Sequence, residues 1–354
     1  MAATKAPSEQ RSTEAASGAP DERVREVSLF TRLFRRPEFG AIVGTVVVWT
    51  IFAVWAGGGF LTLGGAANYL LVAAYLGIVA TFVTLLMIGG EFDLSVGSMI
   101  GASGMIVALL TAFYGLPLSV AVLVAFGFAV AWGSLNAYIV RKTGLPSFIV
   151  TLAGLFALRG LTIAVSRLLT GRTQVGGVSD ATEGSPLVAL LAGEVGGFDA
   201  PILWWIVLVA VATYILLRTR LGNWIFASGG HGTAARNAGV PIYRVKWLLF
   251  IGTACAATLV GVLQVVALGS ADSLRGELVE LEAIAAAVIG GALLTGGFGS
   301  AVGAAFGALT LGIVRQGIFF AGIDSDWFRV FLGVLLLAAV VANNWLRRKA
   351  MEAR

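Results

Sequence analysis

Long apolar runs alternate along this chain with short polar breaks, and each run has the length of a helix that crosses a bilayer. Residues 1 to about 38 contain no such run. They are rich in Ala, Ser, Thr, Glu and Arg, a composition that cannot bury enough surface to fold, so the pattern predicts a disordered tail. From Phe39 to Gly90 no residue is charged, which leaves room for two spans, about 41–56 and 67–88, broken near Gly57-Gly58-Gly59. Glu91 and Asp93 interrupt, and Leu94 to Val140 then holds two more spans separated by Tyr114-Gly115-Leu116-Pro117. Arg141-Lys142 ends the fourth, and a fifth covers about 147–165. An acidic segment from Thr170 to Asp199 precedes a sixth span, Ile202 to Leu217, and a basic segment from Arg218 to Lys246 follows it. A seventh span (about 247–268), an eighth and ninth within Ala283 to Val314, and a tenth (about 328–346) ending in Arg347-Arg348-Lys349 complete the series. The predicted fold is all-α: a polytopic transmembrane bundle of about ten spans over residues 39–347, with a short tail at 348–354.

Composition supports the membrane assignment. Only 12% of the 354 residues are charged, about half of the roughly 25% usual in soluble proteins. The mean hydropathy is +0.91. A net charge of +5 would suggest nucleic acid in a soluble chain, but here the cations sit at the ends of spans, which argues for no nucleic-acid partner. Ten spans place both termini on one side. On that side also fall Arg32, Arg35, Arg36, Arg141, Lys142, Arg218, Arg220, Arg236, Arg244 and Lys246. By the positive-inside rule this side is cytoplasmic, as expected of a multi-pass protein of the cytoplasmic (inner) membrane. The opposite loops carry Asp180, Glu183, Glu194, Asp199, Asp272, Glu277, Glu280, Asp324 and Asp326, with few cations besides Arg167, Arg172, Arg275 and Arg329. Arg35-Arg36 also resembles a twin-arginine export signal, but a long series of apolar helices follows, and basic residues anchoring a first span are the simpler reading.

Several chemistries are excluded. No lysine follows a glycine, so there is no GxxxxGK[ST] phosphate loop and ATP hydrolysis by this chain alone is not expected. Neither H-E-x-x-H nor G-x-S-x-G occurs, and the single histidine, His231, lies in the basic loop. One cysteine excludes an internal disulfide. No metal, cofactor or enzymatic activity is expected.

Small residues mark the helix contacts. Gly299-x-x-x-Gly303-x-x-x-Gly307 and Gly97-x-x-x-Gly101 predict close-packed faces, because helices in lipid associate through near approach of their backbones. Gly97-Ser98 and Gly299-Ser300 each follow a Gly-Gly pair, Gly89-Gly90 and Gly296-Gly297, a faint echo of a duplicated hairpin.

Three places could carry function. The hairpin Gly90, Glu91, Asp93, Ser95, Gly97 and Ser98, expected at the cytoplasmic end of spans two and three, reads either as a turn capped by Asp93 or Ser95, or as carboxylates that meet a partner or gate a path. In the basic loop, Thr233 to Ala238 predicts a short helix stopped by Gly239, suited to a partner's groove, with a plain connector as the alternative. Toward the outer ends, Asn68, Arg159, Arg315, Gln316, Asp326 and Trp327 include candidate pathway residues. Arg159 and Arg315 are alternatively interfacial anchors or halves of ion pairs.

Three segments together resemble the membrane permeases of ribose- and xylose-type ABC sugar importers, a binding-protein-dependent permease family that includes branched-chain amino acid permeases. Gly90-Glu91-Phe92-Asp93-Leu94-Ser95-Val96-Gly97-Ser98 is similar to the family's G-G-I-D-L-S-V-G-S, with Phe92 in place of Ile. Gly229 to Gly239 is similar to G-G-N-x-x-A-A-R-x-x-G, with Gly232-Thr233 where many members are acidic. Glu282 to Gly291 and Thr295 to Ser300 are similar to E-A-I-A-A-V-I-G-G and G-G-x-G-S. The resemblance implies a permease domain paired with a second copy: a cytosolic ABC ATPase would dock on a coupling loop (218–246) through Gly229, Gly230, Thr233, Ala234, Ala235, Arg236 and Gly239, and an extracytoplasmic binding protein would deliver a monosaccharide, pentose or hexose. An ion-coupled carrier of a small polar solute is the alternative.

Overall fold

The computed structural model describes residues 37–352, with side chains from 38 to 341. The expected disordered tail lies outside the described residues except for its last two, which are helical. The first helix, α1 (Pro37–Trp55), is followed by a 3-10 turn (Gly58–Leu61) and α2 (Leu63–Ile88). Next come α3 (Val96–Ala108), closed by a π turn (Leu109–Phe113), then α4 (Leu118–Thr143) and α5 (Ser147–Thr170). Two short helices, α6 (Val178–Thr182) and α7 (Pro186–Ala192), lead to α8 (Ala200–Arg218), α9 (Arg220–Gly230) and α10 (Gly232–Asn237). The chain ends with α11 (Ile242–Leu268), α12 (Val279–Ile289), α13 (Ala301–Phe320) and α14 (Trp327–Glu352). The tail expected from 348 is thus helical through Glu352, and the side chains of Arg347-Arg348-Lys349 lie outside the described ones. Four two-residue strands, β1 (Gln174–Val175), β2 (Glu194–Val195), β3 (Phe198–Asp199) and β4 (Ala271–Asp272), pair antiparallel as β1 with β4 and β2 with β3.

Among the described residues eight helices are long and apolar enough to cross a membrane: α1, α2, α3 with its π turn, α4, α5, α8, α11 and α13. The expected eighth span departs from this pattern. Its helix, α12, has 11 residues, so at about 1.5 Å per residue it covers about half of a ~30 Å hydrocarbon core. The segment before it, 269–278, is non-helical and contains β4.

The core is built from α2, α3 and α11, which are buried along most of their length, whereas α1, α4 and α5 are largely exposed. Small residues set the spacing. A methyl group on Gly133 of α4 would come 2.6 Å from the Phe250 carbonyl oxygen of α11, and one on Gly307 of α13 would collide with the Ala286 carbonyl of α12. Gly303 likewise sits on Gly290, so the predicted Gly303/Gly307 face is a contact within the chain. Gly299 lies before α13 begins and does not share that helix face. The hairpin echo is present, shifted in sequence. Gly90 (φ 82°) and Gly291 (φ 89°) close α2 and α12 in the same left-handed conformation, with Glu91 N–H donating to Leu86 O and Ala292 N–H to Ala287 O. The equivalent of Gly89-Gly90 is therefore Gly290-Gly291, not Gly296-Gly297.

Residues 91–95 are not a surface turn. Asp93 Oδ2 accepts from Thr253 Oγ1 (2.7 Å), and Thr253 is eleven residues into α11, or about 16 Å from its start. Lipid offers no hydrogen-bond partner at such depth, so the extended backbone must be satisfied by protein. The first turns of α5 do this: Phe92 N–H donates to Ser147 Oγ (3.0 Å) and Leu94 N–H to Thr151 Oγ1 (3.1 Å). Replacing both by Ser147→Ala and Thr151→Val leaves two buried donors unpaired, at about 1–3 kcal/mol each. The detergent-solubilised double variant is expected to melt several degrees lower, whereas Thr50→Val, on an exposed face of α1, leaves the midpoint unchanged.

Candidate functional site

The three segments singled out in the sequence converge on one junction of backbone. Gly229, at the end of α9, stands between the end of α2 and the loop before α13. A methyl group there would collide with the Ile88 carbonyl oxygen and come 2.8 Å from Gly297 N and 2.9 Å from Gly90 N. Gly297 N–H itself donates to Ile88 O at 2.8 Å, and a methyl on Gly296 would lie 2.9 Å from Gly229 O. Gly230 is exposed, yet its Cα lies against Gly297, so it belongs to the junction as well. Because no side chain intervenes, a displacement of α9 is transmitted directly to the α2–α3 and α12–α13 turns.

Beyond the junction, α10 presents its surface. Thr233, Ala234 and Arg236 are exposed, while Ala235 is buried and packs the helix down. Gly239 (φ 83°) follows the last turn in the left-handed conformation that ends it. Arg236 Nη2 donates to Tyr243 Oη (2.9 Å) at the start of α11, and its guanidinium lies 5.1 Å from that ring, with Arg141 of α4 at 4.8 Å. Arg236 thus finds an aromatic partner where an acidic neighbour is missing from the sequence. Lys246 pairs with Glu91, which fastens the start of α11 to the α2–α3 connection.

Asp93 and Ser95 form a network rather than a helix cap. Asp93 Oδ1 accepts from Ser95 N–H (2.9 Å) and Ser95 Oγ (2.6 Å), and Ser95 Oγ accepts from Asn136 Nδ2 (3.0 Å) and Trp132 Nε1 (3.2 Å) of α4. Ser98 Oγ donates to Leu155 O (2.9 Å) of α5. Neither carboxylate of this segment is free: Glu91 and Asp93 tie it to Lys246 and Thr253 of α11, while Ser95 and Ser98 reach α4 and α5. Asn136, Thr151 and Thr253 were not distinguished in the sequence, because a lone polar residue in an apolar span carries no signal until its partner is known.

At the other end of the bundle the candidate pathway residues separate. Arg315 Nη2 donates to Glu282 Oε1 (2.6 Å), and its guanidinium lies 4.3 Å from the Phe328 ring, so Arg315 is half of an ion pair. The pair borders a cavity of about 570 Å³ between α12, α13 and α14, also lined by Glu277, Asp326 and Arg329. Trp327 is 55% exposed beside it, while Asn68 is exposed on α2 and Gln316 is half-buried; none of the three lines this cavity. Arg159 makes only a loose ion pair, Nη1 to Glu277 Oε1 at 3.7 Å. Glu280, expected in an acidic loop, is instead buried in the first turn of α12.

Comparison with known proteins identifies the family of the chain. The family described as branched-chain amino acid transport system, permease component, matches residues 65–340. The chain is 33% identical over 340 residues to the probable ABC transporter permease protein YphD of Escherichia coli (strain K12), covering 96% of this chain and 99% of that one. It is 33% identical over 288 residues to the ribose import permease protein RbsC of the same organism (80% and 87%) and 30% identical over 303 residues to the fructose import permease protein FrcC of Rhizobium meliloti (84% and 83%). No solved structure matches the chain.

The junction makes a direct prediction. Gly229→Ala is expected to abolish a monodisperse gel-filtration peak or lower its yield severalfold, whereas Gly232→Ala, whose new methyl would meet only Ile242 Cδ1 at 4.0 Å, elutes as the parent protein.

Proposed function

The chain belongs to the branched-chain amino acid type of ABC transport permeases, as a multi-pass inner-membrane subunit and not an enzyme, and from that premise we propose that it translocates a monosaccharide, powered by separate ATPase subunits that dock on α10. The names of the ribose and fructose relatives support a pentose or hexose as the solute. The observation that carries the reading is the glycine junction. It links the exposed α10 surface, where an engine would push, to the two turns that hold α3 and α12. Closure of an ATP-bound pair would move α10, tilt these helices and expose the path to one side or the other.

Ten crossings follow if the irregular segment 269–278 with α12, and α14, are counted with the eight long helices; both termini then lie with the basic end in the cytoplasm. A second copy pairs with this one around a central path in this reading; the exposed Leu274, Leu278 and Leu281 (48%, 39% and 50%) offer an apolar face for it. An extracytoplasmic binding protein delivers the sugar to the acidic end.

Arg236→Glu is expected to reduce co-purification of the ATPase subunit at least tenfold without changing the thermal midpoint, because Arg236 is exposed. Ala235 is buried and unsuited to this test. Uptake of D-ribose, D-xylose or D-fructose into vesicles is expected to need ATP and the binding protein. Uptake that tracks an ion gradient in ATP-depleted vesicles overturns the proposal in favour of an ion-coupled carrier.

A further inference from the structure

The two broken crossings begin side by side inside the bundle. From the end of α11, residues 269–278 fold back into the structure: Ser273 N–H donates to Thr173 O (3.0 Å), and Gly276 arrives against Gly97 and Ile100 in the first turns of α3. There α12 starts and runs antiparallel to α3. A methyl group on Gly97 would collide with Glu280 Oε2 and come 2.6 Å from Gly276 O, so the carboxylate of Glu280 rests on the bare backbone of Gly97. The N-terminal turns of α3 and of the short α12, each the positive end of a helix dipole, thus share one point inside the bundle.

Two polar atoms at this point lack partners among the described residues. Glu280 is 4% exposed, and its Oε2 is buried without a hydrogen bond. Arg159 Nη2, from α5, is likewise buried and unbonded, although Nη1 reaches Glu277. Arg159 is within electrostatic reach of Glu280 but makes no hydrogen bond to it. The dipoles favour the charge of Glu280 without bonding Oε2. A buried acceptor and a buried donor left open together are costly, and a ligand that both donates and accepts at adjacent positions relieves both. A hydroxyl-bearing neutral solute has that chemistry.

We propose that Glu280 Oε2 and Arg159 Nη2 form a hydroxyl-binding subsite for the transported solute, placed where α3 and α12 begin. One solute hydroxyl donates to Glu280, and its neighbour accepts from Arg159. The inference rests on the transport reading above and adds the residues that recognise the solute inside the membrane. Movement of the glycine junction shifts α3 against α12 and so opens or closes the subsite, since both helices are held at that junction through their preceding or following turns.

The test uses the full assembly, with ATPase and binding protein, in proteoliposomes. Uptake of D-ribose, D-xylose and D-fructose is compared with uptake of those monodeoxy analogues that the binding protein still accepts. The quotient of parent to analogue is then compared between the parent chain and Glu280→Ala, Glu280→Gln and Arg159→Lys, so that selection by the binding protein cancels. At one deoxy position Glu280→Ala is expected to erase discrimination by about tenfold. Glu280→Gln, which keeps an acceptor oxygen, retains part of it. The thermal midpoints of all variants are measured in parallel, and Thr50→Val, on an exposed face of α1 away from the subsite, is expected to keep the parent's discrimination and basal ATPase rate, which separates recognition from folding. Discrimination that persists in all variants, in an assembly that transports sugar, overturns the subsite alone. A parent assembly that carries no sugar overturns the transport reading and the subsite with it, and uptake that becomes proton- or sodium-driven through Glu280 does the same.

Discussion

Backbone that leaves its helix inside a membrane has to find every hydrogen bond in protein, and the architecture of this chain is organised by that requirement. Residues 91–94 carry no regular structure, and Asp93 meets α11 eleven residues from its start. Their donors go to Ser147 and Thr151, and their acidic side chain goes to Ser95 and Thr253. These bonds hold the start of α3 among α4, α5 and α11. Segment 269–278 is satisfied in the same way by Thr173, Gln174 and Val178 of the connection after α5. Long, uninterrupted helices would need none of this. The broken ones need it, and in return they bring polar groups to places that a continuous apolar helix cannot.

The glycines serve a different end. At Gly90, Gly229, Gly296 and Gly297 three separate stretches of main chain touch without intervening side chains. Close-packed backbone does not absorb displacement by rotamer changes, so this junction is stiff. Lys246 and Glu91 add a second tie, between α11 and the α2–α3 connection. The glycine junction lies at the basic end, and the polar groups of Glu280, Arg159 and the Glu282–Arg315 pair lie away from it.

Much of this was legible in the chain. Uncharged runs located α1 through α5, α8, α11 and α13 to within a few residues, because a run of apolar residues long enough to cross lipid has few other stable conformations. The Gly-Gly pairs and the Ala-Ala-Arg segment identified the turns and the exposed helix. The hairpin was misplaced, however: Asp93 and Ser95 read as a surface cap because that is what such residues do next to water, and only their partners on α4, α5 and α11 reveal the depth. Glu280 was assigned to an acidic loop for the same reason.

Hydropathy and charge therefore determined the class of protein, the approximate position of each crossing and the end at which basic residues gather, since these depend on local composition and on the cost of moving charge into lipid. Tertiary structure decided which crossings are broken, that Gly229 meets Gly90 and Gly297, that Arg315 is committed to Glu282, and that Glu280 and Arg159 are left open. These pairings join residues 33 to 139 positions apart, and a single sequence encodes them only through the packing of the whole.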